Sequence, residues 1–593
     1  MDRLKQTILL VALLLSGTHS VFSQKSNSNK DASTILDSNP ESLYLHCNAT
    51  TFVTGETLYY KVYCLNPLDK KVSSVSKIAY VELIGEDNTS IFIQKLFLQK
   101  GISQGDFFVP TTLKTGKYRL IAYTNWILNK PLKDIFQQDI YIINPFQASE
   151  KVSTNTNIDS VNLKSINTAT NFNTTIENTT DKDPVVLQLN KKIASTREKI
   201  TLNINPLSQQ ISEKGNYSLS IRKIDSLPTK KQITAKEVKS NWEANTANQQ
   251  SKGELILPEL RGEIIAGSIV SKSGANDIQN KSIALSIPGK NYTFKIVNTN
   301  SSGKFIFNLD KVNYASNIIV QVIGEDRENY TIKIDSPSKI DYSLLKFDPN
   351  FNLTVEMKNN ILQRSVASQI ENAYYSNKTD SIVKTNLSDS FFNSVGREYV
   401  LEDYSFFPTL QETITEVLFE IYYKQKGNDY TIGVRDYITK LEVPGTTLVL
   451  VDGLFIQDFN ELFAYKTKNI YKVSVVQGGY YYGPKLFNGV ISFTTKNQDY
   501  VSKKSGSYIV NASVLRPAIK KEYFTPDYTD KAKLERIPDY RYQLLWLPDV
   551  ALDNKENPIS FYTSDVTGTF EISLEGFTDQ GIPVSLKDTF EVQ

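Results

Sequence analysis

Histidine is nearly missing from this chain: two are present among 593 residues, alongside two Cys, two Met and three Trp. His19 falls in an N-terminal segment that reads as a removed leader. His46, Cys47 and Cys64 then remain as candidates for nucleophilic or soft metal-ligand chemistry. That set is too small for multi-His zinc sites, zinc fingers or iron–sulfur clusters, and it disfavours hydrolases built on a His base. A His46/Cys47 dyad is disfavoured as well, because adjacent strand residues point to opposite faces. An excess of one charge is also missing. Lys+Arg 66 against Asp+Glu 64 leaves +2, so nothing suggests nucleic acid. Beyond the N-terminus no stretch approaches ~18 continuous apolar residues, and no transmembrane span is expected in the mature chain.

What is present is a globular composition, 40% hydrophobic and 22% charged, in a chain long enough for several cores. Arg3 and Lys5, the apolar run Ile8 to Leu15, and Val21-Phe22-Ser23 read as a secretory signal peptide cut after Ser23. The expected division is 1–23 signal peptide, 24–40 disordered, 41–147 β-sandwich, 148–182 linker, 183–240 second β domain, 255–345 third β domain, 355–500 helical entry and α+β unit, and 505–593 C-terminal Ig-like β-sandwich. Period-two alternation supports the strands, as in Ile78 to Ile84 and Lys117 to Tyr123. The fold class is mainly β: tandem antiparallel sandwiches plus one small α+β domain.

Two helices interrupt this pattern. Leu362, Val366, Ile370 and Ala373/Tyr374 share one face at helical spacing. Leu410, Ile414, Val417/Leu418 and Ile421 share another, with Pro408 placed to open the helix. Both stripes are read as core faces rather than partner grooves. Cys47 and Cys64 lie on strands that can be neighbours in an exported chain. They are either a disulfide or two buried thiols acting as small hydrophobes. Tyrosine is abundant, 33 residues, and Tyr480-Tyr481-Tyr482 is the candidate contact loop, since three strand neighbours cannot all face one core.

Tyr44 to Cys47, then Phe52-Val53-Thr54-Gly55-Glu56-Thr57 and the aromatic run Leu58 to Tyr63, resemble the opening of a macroglobulin MG2 domain. The resemblance continues through Phe107 to Pro110, Thr115 to Leu120 and Tyr123-Thr124-Asn125-Trp126. Gly267 to Val270, Lys281 to Ser286 and Ser302 to Phe307 resemble a carboxypeptidase-regulatory-like or macroglobulin-type β module, which is not a peptidase. Leu448 to Gly453, Ile470 to Gly479, Tyr482-Gly483 and Phe487 to Lys496 resemble the plug domain of TonB-dependent receptors. That resemblance marks Asp452, Gly453, Gly478, Gly479, Gly483 and Gly489 as turn and close-approach positions of the plug. Only 97 residues follow Lys496, too few for a barrel of about 22 strands, so a plug-like domain without its barrel is expected.

The order as a whole resembles exported Gram-negative envelope proteins that combine these modules. It implies a non-enzymatic interaction or scaffold protein of the periplasm or outer-membrane periphery. Its partner would be an outer-membrane or periplasmic protein, or an exported polymer. No catalytic residue, cofactor or metal ligand is assigned. A macroglobulin-type inhibitor is the alternative, in non-covalent form, because neither Cys47 nor Cys64 is followed by the Gly of a thioester motif. A carboxylate-based hydrolase is the third reading, although no acidic pair is nominated by spacing.

Overall fold

The computed structural model describes residues 40–147, 185–206, 214–244, 255–337, 340–349, 351–383, 390–392, 395–442, 445–529, 536–552 and 558–593. The expected signal peptide and the expected linker at 148–182 lie outside the described residues. The architecture is mainly β, with several sheets and four described α-helices: α1 (Ala235–Ala244), α2 (Lys358–Ala373), α3 (Leu410–Glu416) and α4 (Phe459–Phe463).

The first sandwich sets the sheet of Ser42–Cys47, Thr57–Asn66, Lys71–Val72 and Ile102–Phe108 against a five-stranded sheet. The latter runs in the order Thr51–Val53, Phe136–Ile143, Gly116–Tyr123, Ile78–Gly85, Ser90–Phe97. Strand Ile78–Gly85 is buried at every position. One face belongs to the sandwich core. On its other face Tyr80 donates to Glu259 at 3.2 Å, and Tyr342 donates to Glu82. The stretches around 259 and 342 therefore wrap the first sandwich before and after forming the third.

The second sandwich departs most from the sequence reading. One sheet holds Val185–Leu189, Lys199–Pro206 and Ile559–Tyr562. The other runs Ile193–Ala194, Pro583–Val592, Gly568–Thr578, Gly215–Lys223, Gln543–Leu552. Leu219 sits in register with Leu574 on one side and Leu547 on the other. The segments read as separate domains at 183–240 and 505–593 thus build one sandwich with one core, in which Leu219, Ile221, Phe570 and Leu574 are fully buried. The physical reason is simple. The 185–223 segment supplies four strands, whose inner faces need a second layer, and alternation reports which face is inward but not which strand lies alongside.

Between these halves sit the third sandwich and the α+β unit. The third pairs Lys304–Leu309, Glu263–Ser271 and Tyr330–Ile334 against Thr293–Asn298, Ser282–Ile287, Asn317–Val322 and Ile509–Ser513. Its last strand arrives from beyond the α+β unit, inside the expected 505–593 domain. The α+β sheet runs Arg397–Val400, Ile470–Tyr482, Lys485–Thr495, Leu448–Val451, Leu454–Phe455. Strand Leu448–Val451 is buried throughout because it serves two cores. Val449 and Val451 face the unit's own interior, while Leu448 and Leu450 pack with Phe294 and Ile296 of the third sandwich.

The two helical stripes part company. Leu410, Ile414, Val417 and Leu418 are buried as expected, with α3 opened by a capping box of Thr409 and Glu412 directly after Pro408. Ile421 is buried too, but on the following strand. Helix α2 is inverted. Its buried residues are Arg364, Ser365, Ala367 and Ser368, while Leu362 is 58% and Val366 44% exposed. Leu362, Val366, Ala373 and Tyr374 of the expected core stripe face solvent and Ile370 is half-buried, because Arg364 finds buried carboxylates on the opposite side.

Candidate contact surface of the α+β unit

The plug-like motif residues are structural at their own positions. Asp452 has φ +49 and its carboxylate closes the sheet: Oδ1 accepts from Thr495 N at 2.7 Å, and Oδ2 from Thr495 Oγ1 at 2.6 Å and Tyr500 N at 3.1 Å. Gly453, at φ +83, lies so close to the third sandwich that a Cβ would sit 2.2 Å from the Tyr292 ring. Gly483 turns the hairpin against Ile296, and Gly489 lies against Val434 and Val476. Gly478 and Gly479 form a bulge, where the register shifts between Val476 and Gly479.

Tyr480, Tyr481 and Tyr482 continue strand Ile470–Tyr482 beyond that bulge, so they are a hairpin arm and not a loop. Tyr482 turns toward the third sandwich, stacking on Phe294 at 5.3 Å and donating to its carbonyl at 2.5 Å. Tyr480 donates to Phe391 O at 3.0 Å. Burial raises the hydroxyl pKa of both. Tyr481 points the other way and is 77% exposed. Its cross-strand partner Leu486 is also exposed. One tyrosine of the three is therefore exposed, and two hold modules together.

A second exposed apolar cluster lies beside it. The turn after strand Asp429–Val434 presents Tyr437, Ile438 and Leu441, with Ile438 85% exposed. Its form is fixed from within: Asp436 Oδ1 accepts from the backbone of Ile438 and Thr439 and from the Thr439 hydroxyl, and Lys440 N reaches Asp436 O at 3.0 Å. The segment is tied to the Tyr481 arm at both ends. Gln477 Nε2 donates to Arg435 O at 2.7 Å, and Asn488 N to Thr446 O at 2.9 Å. Five exposed apolar side chains thus lie on two linked segments of the α+β unit, the Tyr481 arm and the turn tied to its base. Sequence reasoning named all three tyrosines, of which one is exposed, and missed the turn, although Tyr437-Ile438 between Asp436 and Thr439-Lys440 is an apolar pair in turn chemistry.

The chemistry-bearing residues named from sequence are sealed inside. His46 and Cys47 do point to opposite faces. Cys47 joins the first core, and His46 Nδ1 lies 2.8 Å from Ser218 Oγ in the joint with the second sandwich. Burial pushes the imidazole pKa down to about 3, and Nε2 has no hydrogen-bond partner. Both His46 and Ser218 have no solvent exposure, so no substrate reaches this Ser–His contact. Cys47 and Cys64 are free thiols. Cys64 is opposite Leu43 and Cys47 opposite Tyr60, four rungs apart, which is about 13 Å and beyond disulfide reach. The disulfide alternative is thereby excluded.

Sequence reasoning also missed a buried ionic junction. Glu56, of the Gly-Glu-Thr motif, accepts from Arg364 Nε and Nη2, both at 2.7 Å, and from Arg222 Nη2 at 3.2 Å. Arg364 Nη1 reaches Asp225 at 3.0 Å. Three parts of the chain meet there: the first sandwich, the second sandwich and α2. Gly55 lets α2 approach, since a Cβ there would lie 2.5 Å from Ser368 Oγ. Between the third sandwich and the α+β unit an open cleft of ≈ 520 Å³ is lined by Arg327, Gln457, Asp458, Glu461, Lys504 and Tyr508, among others. Its carboxylates are engaged, Asp458 with Lys504 and Glu461 with Ser502 Oγ and Lys503 N. Among the described residues no group of three or more His, Cys, Asp or Glu is placed to hold a metal ion. No described helix is long and apolar enough to cross a membrane.

No family model and no curated protein matches the chain. Among solved structures it is similar to Salmonella alpha-2-macroglobulin reacted with methylamine, at 8% identity and TM-score 0.23, over 93% of this chain and 39% of that one. It is similar at 8% identity and TM-score 0.23 to Escherichia coli alpha-2-macroglobulin activated by porcine elastase, over 93% and 44%. The chain thus spans less than half the length of these macroglobulins. At such scores the architecture rests on the strand pairings themselves.

Proposed function

We propose that this chain is a non-enzymatic, modular interaction protein of the bacterial cell envelope, which engages an outer-membrane or periplasmic protein through the exposed Tyr437–Leu441 turn and the outward face of the Tyr481 arm of its α+β unit. The observation that carries this reading is the exposure of Tyr437, Ile438, Leu441, Tyr481 and Leu486 on a hydrogen-bonded turn and the hairpin arm to whose base it is tied. Apolar side chains held out by a hydrogen-bonded turn and a paired strand are preorganised, so little ordering entropy is lost on docking. Aromatic and aliphatic anchors of this kind dominate interface energetics, at about 2 kcal/mol or more each when central.

The test uses the full exported chain and detergent-solubilised envelope from its own bacterium. Retention of one defined envelope protein is expected with the unaltered chain, with at least tenfold loss in Ile438→Asp and in Tyr481→Asp. Equal retention by those variants and the unaltered chain contradicts the proposal.

A further inference from the structure

We infer that α2 is a self-association element: two copies of this chain pair antiparallel through its outward stripe, across a two-fold axis. Val355, Asn359, Leu362, Val366, Gln369 and Ala373 follow one another at steps of four and three, the spacing of a heptad seam, and all six are exposed. Val355 is 83% exposed and lies in the turn that leads directly into α2. The helix is not free to roll this stripe inward. Its other side is fastened by Arg364 to Glu56, Asp225 and the Thr51 carbonyl, and by Asn372 to the Gly55 carbonyl.

The occupant follows from the chemistry of the stripe. From Asn359 to Ala373 every exposed position is uncharged, in a chain of which 22% is charged, and the exposed Glu356 and Lys358 lie just before that stretch. A partner bringing charges to this face would leave them desolvated and unpaired. A second copy matches by construction, and the order of residues supports one orientation. The seam is symmetric about position 364. Antiparallel pairing sets Leu362 against Val366 of the other copy, Asn359 against Gln369, and Val355 against Ala373. Apolar then meets apolar and amide meets amide at every rung, with each contact made twice, as an isologous interface requires. The two amide rungs fix the register, as polar seam residues do in coiled coils.

Sedimentation equilibrium of the full chain over a micromolar concentration series reads the outcome. The expected result is a mass rising toward two chains, and a mass of one chain throughout for Leu362→Glu. Asn359→Glu should lose the dimer, and adding Gln369→Lys should restore it through two new ion pairs. That rescue shows the variants are folded and the pairing antiparallel. Mixing Leu362→Cys with Val366→Cys under mild oxidation should give a cross-linked pair, free of interference from the buried Cys47 and Cys64. An unaltered chain that stays at one-chain mass across the series overturns the inference. So does a Leu362→Glu variant that dimerises like the unaltered chain, or α2 occupied only by a different envelope protein.

Discussion

Replacing Arg364 by Met should destabilise the junction of α2 with the first two sandwiches by about 3–5 kcal/mol, the usual loss when one partner of a buried ion pair is removed. The structure supplies the reason. Glu56 and Asp225 face Arg222 and Arg364, so the cluster is neutral, and Met keeps the apolar stem while leaving one negative charge unmatched. Arg364→Lys keeps the charge but loses the paired donors to Glu56, for a smaller loss of about 2 kcal/mol. Urea titration followed by circular dichroism gives the totals. Hydrogen exchange of 53–56 and 358–373 should show the loss as local release of α2. The pH dependence is diagnostic. Burial by itself would raise the Glu56 pKa, but Arg364 and Arg222 bring it below the usual carboxylate value. A carboxylate depressed in the folded state contributes stability above its unfolded pKa, and that stability is lost as pH falls through the folded value. In Arg364→Met only the Arg222 guanidinium remains opposite Glu56, the balance moves toward burial, and Glu56 takes up a proton at higher pH than in the unaltered chain. The gap between the two proteins should therefore narrow as pH drops below about 5. A gap under about 1 kcal/mol at neutral pH, or one that does not change with pH, refutes the reasoning.

Burial raises Glu575 to about 7 against the lowering effect of hydrogen bonds from the Ala235 amide, Ser585 and Tyr44 and of the Lys587 charge, and burial raises Glu259 to about 7 against the lowering effect of Lys95 and Tyr80. A carboxylate raised in the folded state contributes stability that is full below its unfolded pKa and lost as pH rises through about 7. Glu575→Gln should accordingly flatten the decline in stability measured between pH 5 and pH 8. The thiols of Cys47, pushed up to about 12, and Cys64, also raised, should resist an aromatic disulfide reagent in the native chain, and both should react after denaturation. Gly453→Ala and Gly478→Ala impose similar backbone strain at φ +83 and +87, but only the former meets a neighbour, Tyr292. Thermal unfolding should show about 1 kcal/mol lost at Gly478 and clearly more at Gly453.

Much of the fold was legible because alternation is a local signal. The strands of the first sandwich and the α3 stripe follow from which side chains are apolar and at what period. Partnership between distant strands is not local. Nothing in Gly215–Lys223 says that its neighbours lie more than 300 residues away, so one sandwich was read as two. Helix α2 misled for a related reason. Its apolar stripe was plain, yet the side it buries was chosen by Arg364, whose value depends on Glu56 and Asp225 in other modules. The joint between the first two sandwiches left a fainter trace: Tyr44 and His46 share one face of Ser42–Cys47 while Leu43, Leu45 and Cys47 line the core on the other. A strand uncharged on both faces announces a second covered surface. Sequence alone groups the three tyrosines together as a loop, and only the structure shows that Tyr481 alone projects outward and that the Tyr437–Leu441 turn is tied to the base of its arm.

The central claim is that the Tyr437–Leu441 turn and the outward face of the Tyr481 arm form the docking surface. A photo-cross-linking amino acid in place of Tyr481, in the chain expressed in its own bacterium, tests it most directly. The account predicts one discrete adduct with an envelope protein, absent when the same group replaces Tyr482 and abolished by Ile438→Asp. No adduct at Tyr481, or the same adducts from both positions, contradicts it.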